Sequence, residues 1–187
     1  MRLLHGKPLA EKLGERSRER SAALHAAGIA PRLAVVSVGI DPAANTYLER
    51  LAARGKTLAI AVEEVALSGD TSERQLIATL ERLGADARTH GILLLTPLPG
   101  ALDEGHVVDH IVPAKDVEGM NPFNVGLLAD GRPRFVPSTA EAVVELLKFH
   151  GVVLRGARAT VIGRSTVVGR PAAYLLLKED ATVTIAH

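Results

Sequence analysis

Three short apolar runs, Arg32–Val38 (RLAVVSV), Leu58–Leu67 and Gly91–Leu95 (GILLL), alternate with charged amphipathic stretches in the first half of the chain. This alternation constrains the fold more than any other feature. Runs of four to ten apolar residues bounded by Gly and Pro read as buried strands, and the segments between them read as helices. Pro8–Ala27 presents Leu9, Leu13 and Leu24 and stops at Gly28-Ile29-Ala30-Pro31. Gly39-Ile40-Asp41-Pro42 turns into a helix to about Arg54, with Asp41 as its cap, and Asp70-Thr71-Ser72-Glu73 starts another that ends at Gly84. Strand, helix, strand, helix, strand demands a parallel sheet with right-handed crossovers. Aromatic residues are only 3% of the chain, so the core is built from Ala, Val, Leu and Ile, as suits such a sheet.

The second half reads less regularly. Gly105–Val112 is expected as a short helix, Pro113–Asn124 as a polar loop, and Ala140–His150 as a helix opened by Pro137-Ser138-Thr139 and bridging two lobes. The stretch Ala159–Pro171 (ATVIGRSTVVGRP) then gives a strand, a turn at Gly163-Arg164-Ser165 and a helix containing Gly169. Ala181–Ala186 is a further strand with His187 at its tip. A strand entering a glycine turn and a helix N-terminus can cradle an anion, because unpaired N–H groups and the helix dipole converge there. Gly163 and Gly169 are six apart, unlike the usual G-x-G-x-x-G, so spacing alone leaves a phosphate site and a packing turn equally open. A dinucleotide fold uses two such halves, and only the first is present here.

Charge and composition exclude several classes. A net charge of +1 gives no electrostatic case for a nucleic-acid or membrane surface. With no cysteine there is no disulfide framework, thiolate nucleophile or thiolate metal site. No apolar stretch approaches the length of a membrane span, and the first residues lack a signal-peptide core, so a cytoplasmic protein is expected. His106 and His110 stand four apart, a metal-ligand spacing, but without a third ligand; no metal is expected. His90 is read as structural. At the carboxyl ends of the strands, Tyr47, Thr96-Pro97-Leu98-Pro99 and the loop with Asp116 and Glu118 could gather into a cleft, or serve only packing.

The pieces LLHGKPLAEKL, VGIDPAANTY, HGILLLTPLP, PAKDVEGMNPFNVGLL, VPSTAEAVVELL, VIGRSTVVGRP and ATVTIAH occur in this order over nearly the whole chain. In these the chain resembles the bifunctional methylenetetrahydrofolate dehydrogenase/methenyltetrahydrofolate cyclohydrolase family. The resemblance implies an α/β, two-lobed fold: a three-layer tetrahydrofolate-binding catalytic domain over residues 1–138, and a Rossmann-type NADP lobe over 139–187, present only as its first half. It implies NADP as cofactor (NAD in some members), a tetrahydrofolate coenzyme as substrate, and a homodimer. One activity oxidises methylenetetrahydrofolate to the methenyl cation; the other hydrolyses that cation. Tyr47 and Glu118 carry over as catalytic positions. Tyr47, Thr96, Pro97, Leu98, Pro99, Asp116 and Glu118 carry over as substrate-binding, and Gly163, Arg164, Ser165, Val168, Gly169 and His187 as cofactor-binding, with Arg164 facing an adenosine 2′-phosphate.

The chain departs from that pattern at three places. The family lysine four residues after the tyrosine is Leu51, the glutamine of Q-L-P-L-P is Leu95, and the second aspartate of KDVDG is Glu118. Leucine neither donates nor accepts a proton, so the dehydrogenase reaction is expected and the cyclohydrolase reaction is placed in doubt. Arg54, seven residues past Tyr47, and Arg50, three past, could supply charge but not a proton shuttle. The family's P-G-G-V-G-P-M-T loop and final helix are not in the sequence: either the natural chain continues past His187, or it holds at most half of a cofactor site. The alternatives are a non-catalytic paralogue that binds a folate-like ligand or partner subunit, and an oxidoreductase for another pterin.

Overall fold

The computed structural model describes residues 3–39, 42–100 and 102–187. They divide into two compact units, 13–116 and the segments up to Lys12 and from Val117 onward. The expected Asp41 cap lies outside the described residues.

The unit 13–116 is a three-stranded parallel sheet in the order β2-β1-β3, from β1 (Arg32–Val38), β2 (Ala61–Leu67) and β3 (Gly91–Leu94). The central strand β1 buries Ala34, Val35 and Val36 completely, which explains its unbroken apolar run. Helix α1 (Lys7–Ala26) precedes it, α2 (Pro42–Thr57) links β1 to β2, and α3 (Glu73–Ala85) links β2 to β3. Ser72 and Gln75 form a capping box at the start of α3, and Leu76, Leu80 and Leu83 form its buried stripe. Burying each leucine stabilises the unit by about 1.5–3 kcal/mol.

The strand expected over Leu58–Leu67 starts later. Helix α2 runs to Thr57, and Ala59 takes a φ of +53° in the turn that follows. The Ala59 carbonyl accepts a hydrogen bond from Ser21 Oγ (3.0 Å) and lies 2.9 Å from His25 Nε2, so α1 fixes this turn. The three apolar residues Leu58, Ala59 and Ile60 are therefore helix exit and turn rather than strand.

Short helix α4 (Glu104–Asp109) packs against α3. His106 Nδ1 lies 2.8 Å from Glu73 Oε1 and His110 Nδ1 lies 3.1 Å from Glu81 Oε1, so the two imidazoles clasp α4 to α3. The Asp103 N–H, joined by the hydrogen bond with His106, holds the Glu73 carboxyl below its usual value, and the Glu73 carboxylate raises His106. Among the described residues no group of three or more His, Asp or Glu is arranged to hold a metal ion. His90 Nδ1 accepts the N–H of Arg32 (3.2 Å) at the entry to the sheet, a structural duty.

The remaining unit holds α5 (Pro122–Ala129), α6 (Ser138–Phe149), β4 (Arg158–Ile162), α7 (Gly169–Lys178) and β5 (Thr182–Ala186). Strands β4 and β5 pair in parallel, and Val144, Leu154, Leu176 and Ala181 centre a core joined by Ala159, Val161 and Val183. Helix α5 takes up the end of the segment expected as a loop. It is started by Asn121, whose Oδ1 accepts the Phe123 N–H at 2.9 Å, and by Pro122 at its first position. The helix expected as a bridge, α6, belongs wholly to this unit; α1 is the helix whose residues are divided between the two. No helix among the described residues is long and apolar enough to cross a membrane.

Candidate functional site

In the order β2-β1-β3, the chain leaves β1 to one side and then crosses to the other, so β1 and β3 flank a topological switch point. Ligands of open α/β sheets bind outside the carboxyl ends of the strands there. Beyond β1 come Gly39, with a φ of +76°, and α2 with Tyr47, which is 46% exposed. Beyond β3 come Leu95, whose N–H donates to Val36 O at 2.9 Å, and Thr96–Pro99, with a cis Thr96–Pro97 peptide. Thr96 and Pro97 are exposed, while Leu95, Leu98, Pro99 and Leu51 are half-buried. Tyr47 and the Thr96–Pro99 segment thus follow neighbouring strands, with Leu51 one turn beyond Tyr47 on α2. Arg54 is directed at α1: a side chain at Gly14 would collide with its guanidinium.

Asp116 is 1% exposed and pairs in parallel with Ile92 of β3, whose N–H donates to Lys115 O at 2.7 Å. Lys115, which the sequence reading left without a role, fastens this segment. Its Nζ donates to the carbonyls of Gly84 (2.6 Å), Asp86 (2.8 Å) and Leu83 (3.4 Å) at the end of α3. A cation there neutralises the negative end of the helix dipole. The Asp86 carboxylate at the same end is held below its usual range by the Arg88 N–H and guanidinium, with Arg32 adding to them.

In the other unit, Glu118 Oε2 accepts from Ser138 N–H (3.3 Å) and Ser138 Oγ (3.4 Å) at the first residue of α6. Nothing local marks Ser138 as Glu118's partner, since the two are twenty residues apart.

The turn between β4 and α7 is the second locus. Gly163 has a φ of +115°, and a side chain built on it would meet nothing within 4 Å, which leaves its backbone open to a ligand. Gly169 is the opposite case, because a Cβ there would overlap the Gly163 carbonyl. Ser165 Oγ accepts the N–H groups of Val168 and Gly169, each at 3.2 Å. With both lone pairs used, its proton is left to donate. Arg164 is exposed and makes no ion pair among the described residues. The Gly163 N–H donates to Ala186 O at 2.7 Å, which brings exposed His187, the next residue after Ala186, beside the same turn. These groups fit a dinucleotide phosphate: an open glycine, a hydroxyl proton and an exposed cation.

A switch-point sheet together with a strand–glycine turn–helix–strand unit defines a two-unit parallel α/β protein of the nucleotide-binding kind. Residues 4–118 match the model of the tetrahydrofolate dehydrogenase/cyclohydrolase catalytic domain, and residues 137–187 match that of the family's NAD(P)-binding domain. The chain belongs to the tetrahydrofolate dehydrogenase/cyclohydrolase family, as its resemblance implied. It is 44% identical to the bifunctional protein FolD of Chloroflexus aurantiacus, over 100% of this chain and 66% of that one. The bifunctional FolD enzyme of Campylobacter jejuni superposes with a TM-score of 0.97 at 37% identity, covering 100% of this chain and 67% of its own. The FolD of Trypanosoma brucei, complexed with NADP cofactor and inhibitor, gives 0.93 at 32% identity, covering 100% and 64%. The chain therefore spans about two thirds of the length of the relatives it matches.

Proposed function

We propose that this protein oxidises methylenetetrahydrofolate with NADP, and that its cyclohydrolase activity is weak or lost. The observation that carries the reading is the Gly163-Arg164-Ser165 turn. Arg164, exposed and without an ion pair among the described residues, directly follows the open Gly163, and its guanidinium could grip an adenosine 2′-phosphate bidentately. A dinucleotide held at the Gly163–Ser165 turn would supply the acceptor for a hydride from the methylene carbon, leaving the methenyl cation. What the chain must supply is chiefly placement of two rings face to face. By the family resemblance, Tyr47, Thr96–Pro99, Asp116 and Glu118 would bind the folate, and Gly163, Arg164, Ser165, Val168, Gly169 and His187 would hold the cofactor. Residues 1–138 and 139–187 would be the respective domains, in a cytoplasmic homodimer.

Hydrolysis of the methenyl cation needs a group to move protons at the attacking water. The positions that resemble the family's lysine and glutamine hold Leu51 and Leu95, both half-buried and apolar. Arg54, turned against α1, is no substitute. The test is NADPH formation by the full natural chain given methylenetetrahydrofolate and NADP, with formyl product measured separately. NADPH without enzymatic hydrolysis is the expected result, and absence of NADPH overturns the reading. The same two leucines favour a second reading, a non-catalytic paralogue that binds a folate-like ligand. Calorimetric binding of tetrahydrofolate without turnover would select it.

A further inference from the structure

Helix α6 begins at Ser138 behind Pro137, which offers no side-chain cap. The acceptor for its first N–H comes instead from Glu118, whose Oε2 takes both the amide (3.3 Å) and the hydroxyl (3.4 Å) of Ser138. A carboxylate at this place also meets the positive end of the helix dipole. The backbone beside it is fixed in the same direction. Gly119 has a φ of +63°, and a Cβ on it would lie 2.7 Å from Phe135 O, so the chain passes tightly against the segment leading into α6. Glu118 is thus tied twice to the approach of α6, once by its own side chain and once through its neighbour's backbone. Its other oxygen, Oε1, accepts no hydrogen bond among the described residues.

We infer that Ser138 is a positioning residue that holds Glu118 Oε2 so that Oε1 is presented to the paired N–H edge of the folate's aminopyrimidinone ring. This rests on the folate reading above. A free glutamate must freeze three side-chain torsions on binding; one already held through Oε2 has less to lose.

The test uses the full natural chain. Ser138→Ala should raise KM for methylenetetrahydrofolate roughly three- to ten-fold with kcat nearly unchanged, and Ser138→Thr should restore it. In a Glu118→Gln background, Ser138→Ala should add little, because the partner is already weakened. An unchanged KM in Ser138→Ala, or fully additive effects, would overturn the inference. A second measurement needs no folate. Glu118→Gln should speed hydrogen exchange of the Ser138 amide; unchanged exchange would show that the contact does not hold in solution. If exchange rises but the wild-type protein binds no tetrahydrofolate, the folate reading has failed, and Glu118 is a helix cap alone.

Discussion

Gly169 rests its Cα on the carbonyl group of Gly163, so closely that a methyl group at 169 would overlap that oxygen. This contact joins the end of β4 to the start of α7 and sets the height of the turn that holds Arg164. Gly169→Ala should therefore destabilise the protein by about 1–3 kcal/mol, despite alanine's higher helix propensity. Urea unfolding reads this directly, and a midpoint equal to that of the wild type would refute the close-packing role.

Arg164 tests the nucleotide assignment. Arg164→Ser should raise KM for NADP about ten- to a hundred-fold, the equivalent of a lost charge-assisted hydrogen bond. It should leave KM for NAD little changed. Parallel loss with both nucleotides would place the guanidinium elsewhere than at a 2′-phosphate.

Leu51→Lys together with Leu95→Gln should bring in hydrolysis of methenyltetrahydrofolate, with an increase on the order of 10²-fold if a general acid–base group is what the chain lacks. The decay of methenyl absorbance measures it. No increase in a folded, dehydrogenase-active double variant would show that more than these two positions has been lost.

Lys115 ties the end of α3 to the segment carrying Asp116. Lys115→Met keeps much of the aliphatic stem and removes the donor to three carbonyls. A cost of about 1.5–3 kcal/mol is expected for a charged donor, towards the lower end because the side chain is half exposed. Faster amide exchange in the segment around Ile92 and Asp116 should accompany it. Unfolding at the wild-type midpoint would argue that water replaces the ammonium without loss.

The His106–Glu73 pair makes a pH prediction. Glu73 is lowered from its ordinary 4.5, so its contribution is present above that value and lost as pH falls through the folded value. His106 is raised from 6.5, so its contribution is present below that value and lost as pH rises through the folded value. Both act together between 4.5 and 6.5. The wild type should gain stability relative to Glu73→Gln as pH falls from about 8 to about 6. Equal slopes for the two proteins would remove the pair from the account; both residues are solvent-accessible, so the difference will be small.

The sheet could be read from its letters because β1 and β3 are buried on both faces and leave continuous apolar runs. The start of β2 could not, since Leu58-Ala59-Ile60 is as apolar as a strand and only its contact with Ser21 and His25 makes it a turn. Helix α5 did carry a local signal, Asn121 before Pro122, hidden inside a polar stretch. At the candidate site, the glycines located the turn after β4, but their spacing alone left a phosphate site and a packing turn equally open. The partners of Lys115 and Glu118 lie about twenty to thirty residues away in sequence, and no local pattern encodes such contacts.

The place of β1 between its two partners also has a consequence for how the chain reaches its fold. Leu33 pairs with Val62 on one side and with Gly91 on the other. During synthesis β2 can dock on β1 early, but the second edge of this central strand stays open until β3 emerges. Closing that gap is a late, non-local step. Until then Ala34-Val35-Val36 is an unpaired strand edge, the kind of surface on which nascent chains associate with one another.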